Sequence, residues 1–249
     1  MKIVRFAAGR KTGYGILKNN KIERIANPYR SLKGTGESFK LSEVKLLVPC
    51  LPSKVIAIGL NYYSHAKEVK MDVPKEPLMF FKPSTSVIGP EDKVVRPAGC
   101  QRLDYEAELG VVISKKAVKV SKEKALDYVL GYTCFNDVTA RDWQKIDSQW
   151  ARAKGSDTFS PIGPWIETEL DPDNVSVEAY LNGKQVQKGN TNDLVFNTVA
   201  LVSYISNVIP LLPGDVIATG TPAGIAPMQS GDVIEIVCSG IGTLKNTVA

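Results

Sequence analysis

Three acidic side chains alternate along one short segment, and their spacing is suited to holding a metal ion. Asp104, Glu106 and Glu108 lie in LDYEAELGVVI, residues 103–113. Alternate side chains of a β-strand point to the same face, so the three carboxylates are expected to share one face. Like charges that lose hydration near a core repel each other, and a divalent cation would offset that cost. A solvent-facing acidic stripe is the alternative, although the apolar GVVI that follows indicates a strand that enters the interior.

A fourth carboxylate ends another apolar strand. Asp137 lies in GYTCFNDVTARDWQ, residues 131–144, just before a predicted helix whose first turn holds Thr139 and Arg141. A carboxylate at this junction is a candidate third metal ligand, and the nearby helix N-terminus favours bound anions. The alternative is that Asp137 or Asn136 simply caps the helix.

The single histidine of the chain lies close to a glutamate. His65 and Glu68 occur in GLNYYSHAKEV, residues 59–69, and a helix there would place them on one face at i and i+3. A carboxylate beside an imidazole orients it and raises its pKa, which makes the pair a candidate general base. An exposed pair without function is the alternative. With one histidine, a zinc site of several histidines is excluded within one chain, so any metal must be held mainly by carboxylate oxygens.

Two lysines and one small-residue loop complete the candidates. Lys82 follows an apolar strand in FFKPSTSVIGP, and Lys154 lies among glycine and serine in ARAKGSDTFSPIGPW. Backbone donors near Lys154 could join it in holding an anion. The loop Gly220–Gly224 follows the strand VIAT. A structural turn or a solvated lysine is the alternative at each position.

Most of the predicted elements that position these residues are β-strands. Asn182 and Gly183 form the two-residue turn of a predicted hairpin. Three helices are predicted, each from an N-terminal cap or an apolar stripe. They are KEKALDYVL, capped by Ser121 and stopped at Gly131; ARDWQKIDSQW, opened by Thr139 with Trp143, Ile146 and Trp150 on one face; and Asn197 to Val208, with Val199, Val202 and Ile205 as its apolar stripe.

The chain has no linker or low-complexity segment, which predicts one globular domain of the size of a catalytic domain, residues 51–249, with a small N-terminal unit, residues 1–50. Hydrophobic residues make up 43% and charged residues 23%, which argues against disorder. No apolar run approaches about 18 residues and the N-terminus lacks a secretory pattern, so we expect no membrane association.

The net charge and the spacing of the cysteines limit which binding partners and which cellular compartment we expect. Four separated cysteines exclude a cysteine zinc site and predict isolated thiols in the cytoplasm. A net charge of +5 does not by itself imply a polyanionic partner, and the lysine-rich SKKAVKVSKEK lacks interleaved aromatic residues. We therefore expect no nucleic-acid partner.

Six segments in order resemble the fumarylacetoacetate hydrolase superfamily. They span about Lys54 to Leu244: GLNYYSHAKE, PLMFFKPSTSVIGP, DYEAELGVVI, GYTCFNDVTARDWQ, AKGSDTFSPIGPW and IATGTPAGIAPMQSGDVIEI. The resemblance is strongest to the single-catalytic-domain branch of acylpyruvate hydrolases, oxaloacetate decarboxylases and 2-hydroxyhepta-2,4-diene-1,7-dioate isomerases. It implies an α+β, mostly β fold, a mixed β-sheet roll with a few peripheral helices, and a homodimer.

The resemblance also implies roles for individual residues. Matching positions are the metal ligands Glu106, Glu108 and Asp137 for Mg²⁺ (alternatively Mn²⁺ or Ca²⁺), the dyad His65 and Glu68 on a lid, Lys154 facing the substrate oxygens, and the substrate-binding residues Arg141, Gln144, Thr221 and Lys82. The implied substrate is a small 2-oxo acid that chelates the ion and reacts through a metal-stabilised enolate.

Three activities remain open at this point. The first is hydrolysis of a C–C bond in an acylpyruvate-type β-diketo acid, with His65 and Glu68 activating water and Lys154 offsetting charge on oxygen. The second is isomerisation or decarboxylation of a 2-oxo dicarboxylic acid at the same site. The third is a non-catalytic protein that binds the metal and the 2-oxo acid. One metal–enolate platform serves hydrolysis, isomerisation and decarboxylation alike, so the sequence does not separate these three reactions.

Overall fold

Twenty β-strands in three sheets form the body of the protein in a computed structural model that describes residues 1–249. The strands are β1 (Lys2–Ala8), β2 (Lys11–Lys18), β3 (Lys21–Asn27), β4 (Ser31–Lys40), β5 (Lys45–Leu47), β6 (Lys54–Gly59), β7 (Leu78–Pro83), β8 (Val87–Ile88), β9 (Lys93–Val94), β10 (Leu103–Asp104), β11 (Ala107–Ile113), β12 (Val129–Asn136), β13 (Thr139–Ala140), β14 (Ser160–Glu167), β15 (Ser176–Leu181), β16 (Lys184–Asn190), β17 (Val216–Ala218), β18 (Pro227–Met228), β19 (Val233–Cys238) and β20 (Gly242–Val248).

Helices are few and short. They are α1 (Tyr63–Glu68), α2 (Arg141–Ile146), α3 (Ala151–Gly155) and α4 (Thr198–Val208), with 3₁₀ segments at Leu41–Glu43, Ser84–Ser86, Lys122–Tyr128 and Thr191–Asp193. Strands hold 45% of the residues and helices 18%, which confirms the predicted α+β, mostly β class. None of the helices is both long and apolar enough to cross a membrane.

The largest sheet has twelve strands and includes all the N-terminal strands from β1 to β8. Its order is β4-β3-β2-β1-β14-β12-β11-β17-β6-β7, with β5 added beside β1 and β8 beside β14. Strand β1 pairs with β14, where Lys2 faces Glu167, so the N-terminal strands extend the sheet of the remaining chain. The division into units 1–50 and 51–249 therefore stays a prediction.

Strand β11 lies in the middle of this sheet, between β12 and β17. All seven of its residues are buried, because a five-stranded sheet (β16-β15-β19-β20-β9) covers one face. Leu109 and Val111 of β11 join Val177 and Ile236 of that second sheet in one apolar core cluster. The carboxyl group of Glu108 is thus carried into the interior by a strand whose apolar packing stabilises the buried position.

Two predicted elements are confirmed by local geometry. Helix α4 begins after Asn197, whose side chain accepts a hydrogen bond from the Ala200 N–H, and Val202 and Ile205 are buried. The hairpin of β15 and β16 turns at Asn182 and Gly183, where both residues have positive φ, as a primed turn requires.

The other two predicted helices are wrong in extent. The segment after Ser121 is a 3₁₀ helix that ends at Tyr128, and Gly131 lies inside β12 instead of stopping a helix. Pairing of β12 with both β11 and β14 outweighs the local helix pattern, since strand pairing and burial override propensity.

The helix predicted from Thr139 is divided. Thr139 and Ala140 form β13, which pairs with β10, and two short helices α2 and α3 follow. Ile146 is 73% exposed, so the expected face of Trp143, Ile146 and Trp150 does not form.

Candidate active site

Three buried carboxylates converge where β11 begins and β12 ends. One ligand oxygen from each of Glu106, Glu108 and Asp137 lies within 4.8 Å of the other two. The antiparallel pairing of the two strands brings them together, since Ala107 faces Asn136. The Asp137 N–H donates to the Glu106 carbonyl at 2.9 Å, and the Glu106 N–H donates to Asn136 Oδ1 at 3.0 Å. The cluster can hold a divalent metal ion.

Asp104 is not part of this cluster, contrary to the expectation of one continuous acidic strand. Strand β10 ends at Asp104 and β11 begins at Ala107, so the alternation of side chains is interrupted between them. The Asp104 carboxylate accepts hydrogen bonds from Arg102 at 2.8 and 3.0 Å and from Arg141 Nε at 2.9 Å. Asp104 therefore fixes the Arg141 side chain instead of joining the three carboxylates.

Two of the three carboxylates are bound by cations. Lys154 Nζ donates to Glu106 Oε2 at 2.8 Å and to Asp137 Oδ2 at 2.6 Å, and Arg141 donates to Glu106 Oε1. Burial favours the neutral form of Glu106, but Lys154 and Arg141 outweigh it and hold the pKa of Glu106 well below its usual range. Burial likewise disfavours the Lys154 ammonium, yet Asp137 and Glu106 raise its pKa.

Lys82 lies behind the carboxylates and does not line the cavity. Its fully buried ammonium donates to Asp137 Oδ1 at 2.5 Å and to the carbonyls of Val138 and Lys154. Burial lowers the pKa of Lys82, and the neighbouring Asp137 partly offsets that effect. Both oxygens of Asp137 are thus held in place by lysines.

Glu108 has no such cation. Its only hydrogen bond is from the Gly220 N–H to Oε2 at 2.8 Å, although its side chain is almost fully buried. Burial, followed by the nearby charges of Asp137 and Glu106, raises the pKa of Glu108 well above the usual carboxyl range. A buried carboxylate without a counterion, beside two others, fits a hard divalent cation, whose preferred ligands are carboxylate oxygens.

The His65–Glu68 pair forms on α1 as the i, i+3 spacing predicted. His65 Nδ1 lies 2.9 Å from Glu68 Oε2, and Glu68 Oε1 accepts a hydrogen bond from the Gly224 N–H at 2.9 Å. An ionised carboxylate only accepts, so the proton of a neutral imidazole lies on Nδ1 and Nε2 is left basic. His65 is only 8% exposed, whereas Glu68 is exposed to solvent, so the imidazole is buried and its carboxylate partner is not. Asp193 helps to fix the helix, since its carboxylate accepts from the Ser64 N–H at 3.0 Å.

One cavity of about 310 Å³ brings most of the predicted residues together. Its polar lining comprises His65, Glu106, Glu108, Asp137, Arg141, Gln144, Lys145, Lys154 and Thr221. Its apolar wall includes Phe80 and Trp150, which pack edge to face with ring centroids 5.2 Å apart. Lys154 Nζ lies 5.1 Å from the Phe80 centroid, so the same ammonium faces the carboxylates and the aromatic wall. Outside this lining, the exposed Glu68 contacts His65 and the buried Lys82 contacts Asp137.

Sequence reasoning missed two residues near this cavity. Lys145 follows Gln144 on α2 and lines the cavity, and its ammonium pairs with no carboxylate. Gln187 is buried beside the loop 220–224 and bonds to Thr221. The neighbouring Gln144 was an available signal for Lys145, whereas Gln187 lies in a polar strand 34 residues before Thr221 and offered none.

Comparisons with known proteins identify the family. A family model described as fumarylacetoacetate (FAA) hydrolase C-terminal matches residues 54–249, and one described as Rv2993c-like, N-terminal matches residues 1–49. The chain therefore belongs to the fumarylacetoacetate hydrolase family, in the single-catalytic-domain branch of this enzyme superfamily.

Its relatives include proteins with and without an assigned activity. An uncharacterized protein of Archaeoglobus fulgidus is 53% identical over 212 residues, which cover 85% of each chain. The mitochondrial oxaloacetate tautomerase fahd2 of Xenopus laevis is 42% identical over 220 residues, covering 83% of this chain and 69% of the relative. The crystal structure of 5-carboxymethyl-2-hydroxymuconate delta-isomerase from Mycobacterium smegmatis superposes with a TM-score of 0.95 at 41% identity, covering 100% of this chain and 99% of the other.

Proposed function

We propose that this protein is a divalent-metal-dependent enzyme that transfers a proton at the carbon beside the keto group of a 2-oxo dicarboxylic acid. The net result would be tautomerisation or double-bond isomerisation. The observation that carries the proposal is the shared cavity of the carboxylate cluster and the imidazole of His65. A relative named as a tautomerase and a structural neighbour named as an isomerase support this reaction type.

The ion would be held by Glu106, Glu108 and Asp137, and Glu108 is the ligand that has no other cation. A bound Mg²⁺, or Mn²⁺ or Ca²⁺ in its place, would supply a Lewis acid for the oxygens of a 2-oxo acid. Lys82 and Lys154 would keep the Asp137 oxygens oriented, since each donates to one of them.

His65 would move the proton. Its Nε2 would accept the proton from C3 of the substrate and return it to an oxygen or to another carbon, while Glu68 stabilises the imidazolium at Nδ1. Lys154 would donate to the substrate oxygen on which negative charge develops. Because Glu68 is fixed by the Gly224 N–H, the imidazole keeps its orientation between the two proton transfers.

The cavity supports a small dianionic substrate. Its volume of about 310 Å³ is at the lower end of the range for small-molecule sites. With all groups ionised, the four carboxylates and the four cations of this network sum to zero charge, so a divalent ion would leave an excess of two positive charges; the groups are Asp104, Glu106, Glu108 and Asp137 with Lys82, Arg102, Arg141 and Lys154. Arg141, Gln144 and Thr221 would orient the substrate, and Lys145 would reach its distal carboxylate from the cavity wall.

Hydrolysis of an acylpyruvate-type acid, the first expectation from the sequence, becomes the second candidate. The same Nε2 could accept a proton from water instead of from carbon, and the family description names a hydrolase. The homodimer and the cytoplasmic location stay predictions.

The test is an ultraviolet assay that follows the enol form of oxaloacetate and, in parallel, acetylpyruvate. We expect faster loss of enol oxaloacetate than in a protein-free Mg²⁺ blank, and no acceleration in excess EDTA or with His65→Gln. Faster loss of acetylpyruvate than of oxaloacetate would favour the hydrolase. Rates that equal the blank with both substrates would contradict both candidates.

A further inference from the structure

One buried amide side chain joins the two halves of the candidate site. Gln187 lies on β16, the outer strand of the five-stranded sheet, and is 2% exposed. Its Oε1 accepts from the Ala107 N–H at 2.9 Å, and its Nε2 donates to Thr221 Oγ1 at 2.9 Å and to the Pro222 carbonyl at 2.8 Å. One acceptor and two donors are therefore used at once, and among uncharged side chains of this length only glutamine supplies them.

The first of these bonds reaches the strand that carries the carboxylates. Ala107 is the residue between Glu106 and Glu108 and the first residue of β11. Strand β17 pairs with β11 only from Gly110 to Val112, so it does not reach the Ala107 N–H. Gln187 supplies the missing acceptor and so fixes the backbone from which both glutamates project.

The other two bonds reach the loop that positions the base. The Gly220 N–H of this loop donates to Glu108 at 2.8 Å, and the Gly224 N–H donates to Glu68 at 2.9 Å. Gly224 has φ +108°, and a Cβ there would lie 2.5 Å from the Val186 carbonyl, so the loop packs directly against β16. The loop therefore has one backbone donor for the carboxylate cluster and one for the His65–Glu68 pair.

We propose that Gln187 is a positioning residue that sets the carboxylate cluster and the His65–Glu68 pair relative to each other. Gln187 does not line the cavity, so it acts through Ala107 and through the loop 220–224 and not by contact with substrate. The part of this proposal that concerns metal binding by the carboxylate cluster rests on the proposed function. Residues that orient metal ligands typically change metal affinity or activity by about 10–100-fold when replaced.

The experiment compares Gln187→Met with a matched control, Asn246→Leu. Asn246 is also 2% exposed, and its Nδ2 donates to the carbonyls of Gly89 at 2.9 Å and Asp92 at 2.8 Å, outside the candidate site. Both variants replace a buried amide by an apolar side chain of similar size. Three quantities are measured on protein without an affinity tag: the unfolding temperature, the Mg²⁺ dissociation constant by calorimetry, and the imidazole nitrogen resonances of ¹⁵N-histidine-labelled protein. His65 is the only histidine, so every imidazole signal comes from the candidate base.

Both variants are expected to unfold at lower temperature than the natural chain. Only Gln187→Met is expected to weaken Mg²⁺ binding by about 10–100-fold and to shift the His65 resonances. If Gln187→Met keeps the Mg²⁺ dissociation constant and the His65 resonances of the natural chain, Gln187 has a structural role only and the proposal is overturned.

Two further outcomes are also decisive. If the natural chain binds no Mg²⁺, the proposed function fails, and the His65 resonances still decide whether Gln187 positions the base. If Gln187→Met does not fold, Gln187→Glu replaces it, since a carboxylate keeps the acceptor for Ala107 and loses both donors to the loop. Unchanged His65 resonances in Gln187→Glu would overturn the proposal.

Discussion

Replacing Glu108 by glutamine is expected to stabilise the metal-free protein while removing its metal affinity. Glu108 is buried, lacks a cationic partner and lies among two other carboxylates. Burial and these neighbours raise its pKa above the usual carboxyl range, so stability falls as the pH rises from the ordinary carboxyl pKa towards the raised one, because the folded chain keeps a proton that the unfolded chain releases. Glutamine keeps an oxygen for the Gly220 N–H and removes the charge.

The size of this effect follows from the charges and distances. Two unit charges 4.8 Å apart repel by about 3.5 kcal/mol at an effective dielectric constant of about 20. Glu108 can avoid this repulsion by taking up a proton. Protonating a carboxyl group of ordinary pKa at neutral pH costs about 3.7 kcal/mol, so the destabilisation by Glu108 cannot exceed that value. The attraction of Lys154 reduces the effect, so we expect a gain of about 1–3 kcal/mol in the free energy of unfolding.

Glu106→Gln provides the matched control, because it is the same substitution two residues away with the opposite expected sign. Lys154 and Arg141 bind Glu106 and hold its pKa below the usual range, so its ionised form stabilises the fold at neutral pH. Leaving these cations without their partner should cost about 3–5 kcal/mol.

The assay is urea unfolding at neutral pH in EDTA, repeated with Mg²⁺ and at lower pH. Mg²⁺ at about 100 times its dissociation constant should stabilise the natural chain by about 2.7 kcal/mol and leave Glu108→Gln unchanged. The gain from Glu108→Gln should disappear as the pH falls to the ordinary carboxyl pKa, where Glu108 is protonated in both the folded and the unfolded chain. Destabilisation by Glu108→Gln in EDTA, or shifts of the same sign in both variants, would refute the charge assignment.

Three other substitutions test separate parts of the site. His65→Gln should lower kcat by about 10²–10⁴-fold and leave calorimetric binding of oxalate with Mg²⁺ intact, so loss of oxalate binding would contradict its role as the base. Lys145→Met should raise KM for a dicarboxylic 2-oxo acid and leave KM for a monocarboxylic one unchanged; equal KM changes would exclude recognition of the distal carboxylate. Lys82→Met should destabilise the metal-free protein by about 3–5 kcal/mol, because Asp137 loses a buried partner, and urea unfolding equal to that of the natural chain would count against this.

The sequence predicted the parts of the site that depend on local spacing. The i, i+3 separation of His65 and Glu68 requires only one helical turn, and that turn forms. Glu106 and Glu108 alternate across Ala107, so two ligands of the cluster follow from strand geometry. Asp137 was a candidate third ligand because it ends an apolar strand, and the resemblance to the family placed it with the two glutamates; its contact with Glu106 depends on the pairing of β11 with β12.

Other features depend on contacts between distant segments and could not be predicted from local patterns. The break between Asp104 and Ala107 follows from the pairing of β10 with β13 and β18, which ends before β11 begins. The strand at Gly131 forms because two neighbours pair with it, although the preceding residues favour a helix. Gln187 reaches Ala107 across 80 residues of sequence, so no local spacing indicates the contact.

The most direct test of the proposed chemistry is exchange of the C3 protons of oxaloacetate in D₂O, followed by ¹H NMR. The reaction is run with Mg²⁺ or excess EDTA, with the natural chain or His65→Gln, and against a protein-free blank. We predict exchange above the blank only for the natural chain with Mg²⁺. Exchange that equals the blank, or that is unaffected by EDTA and by His65→Gln, would contradict metal-dependent proton transfer by His65.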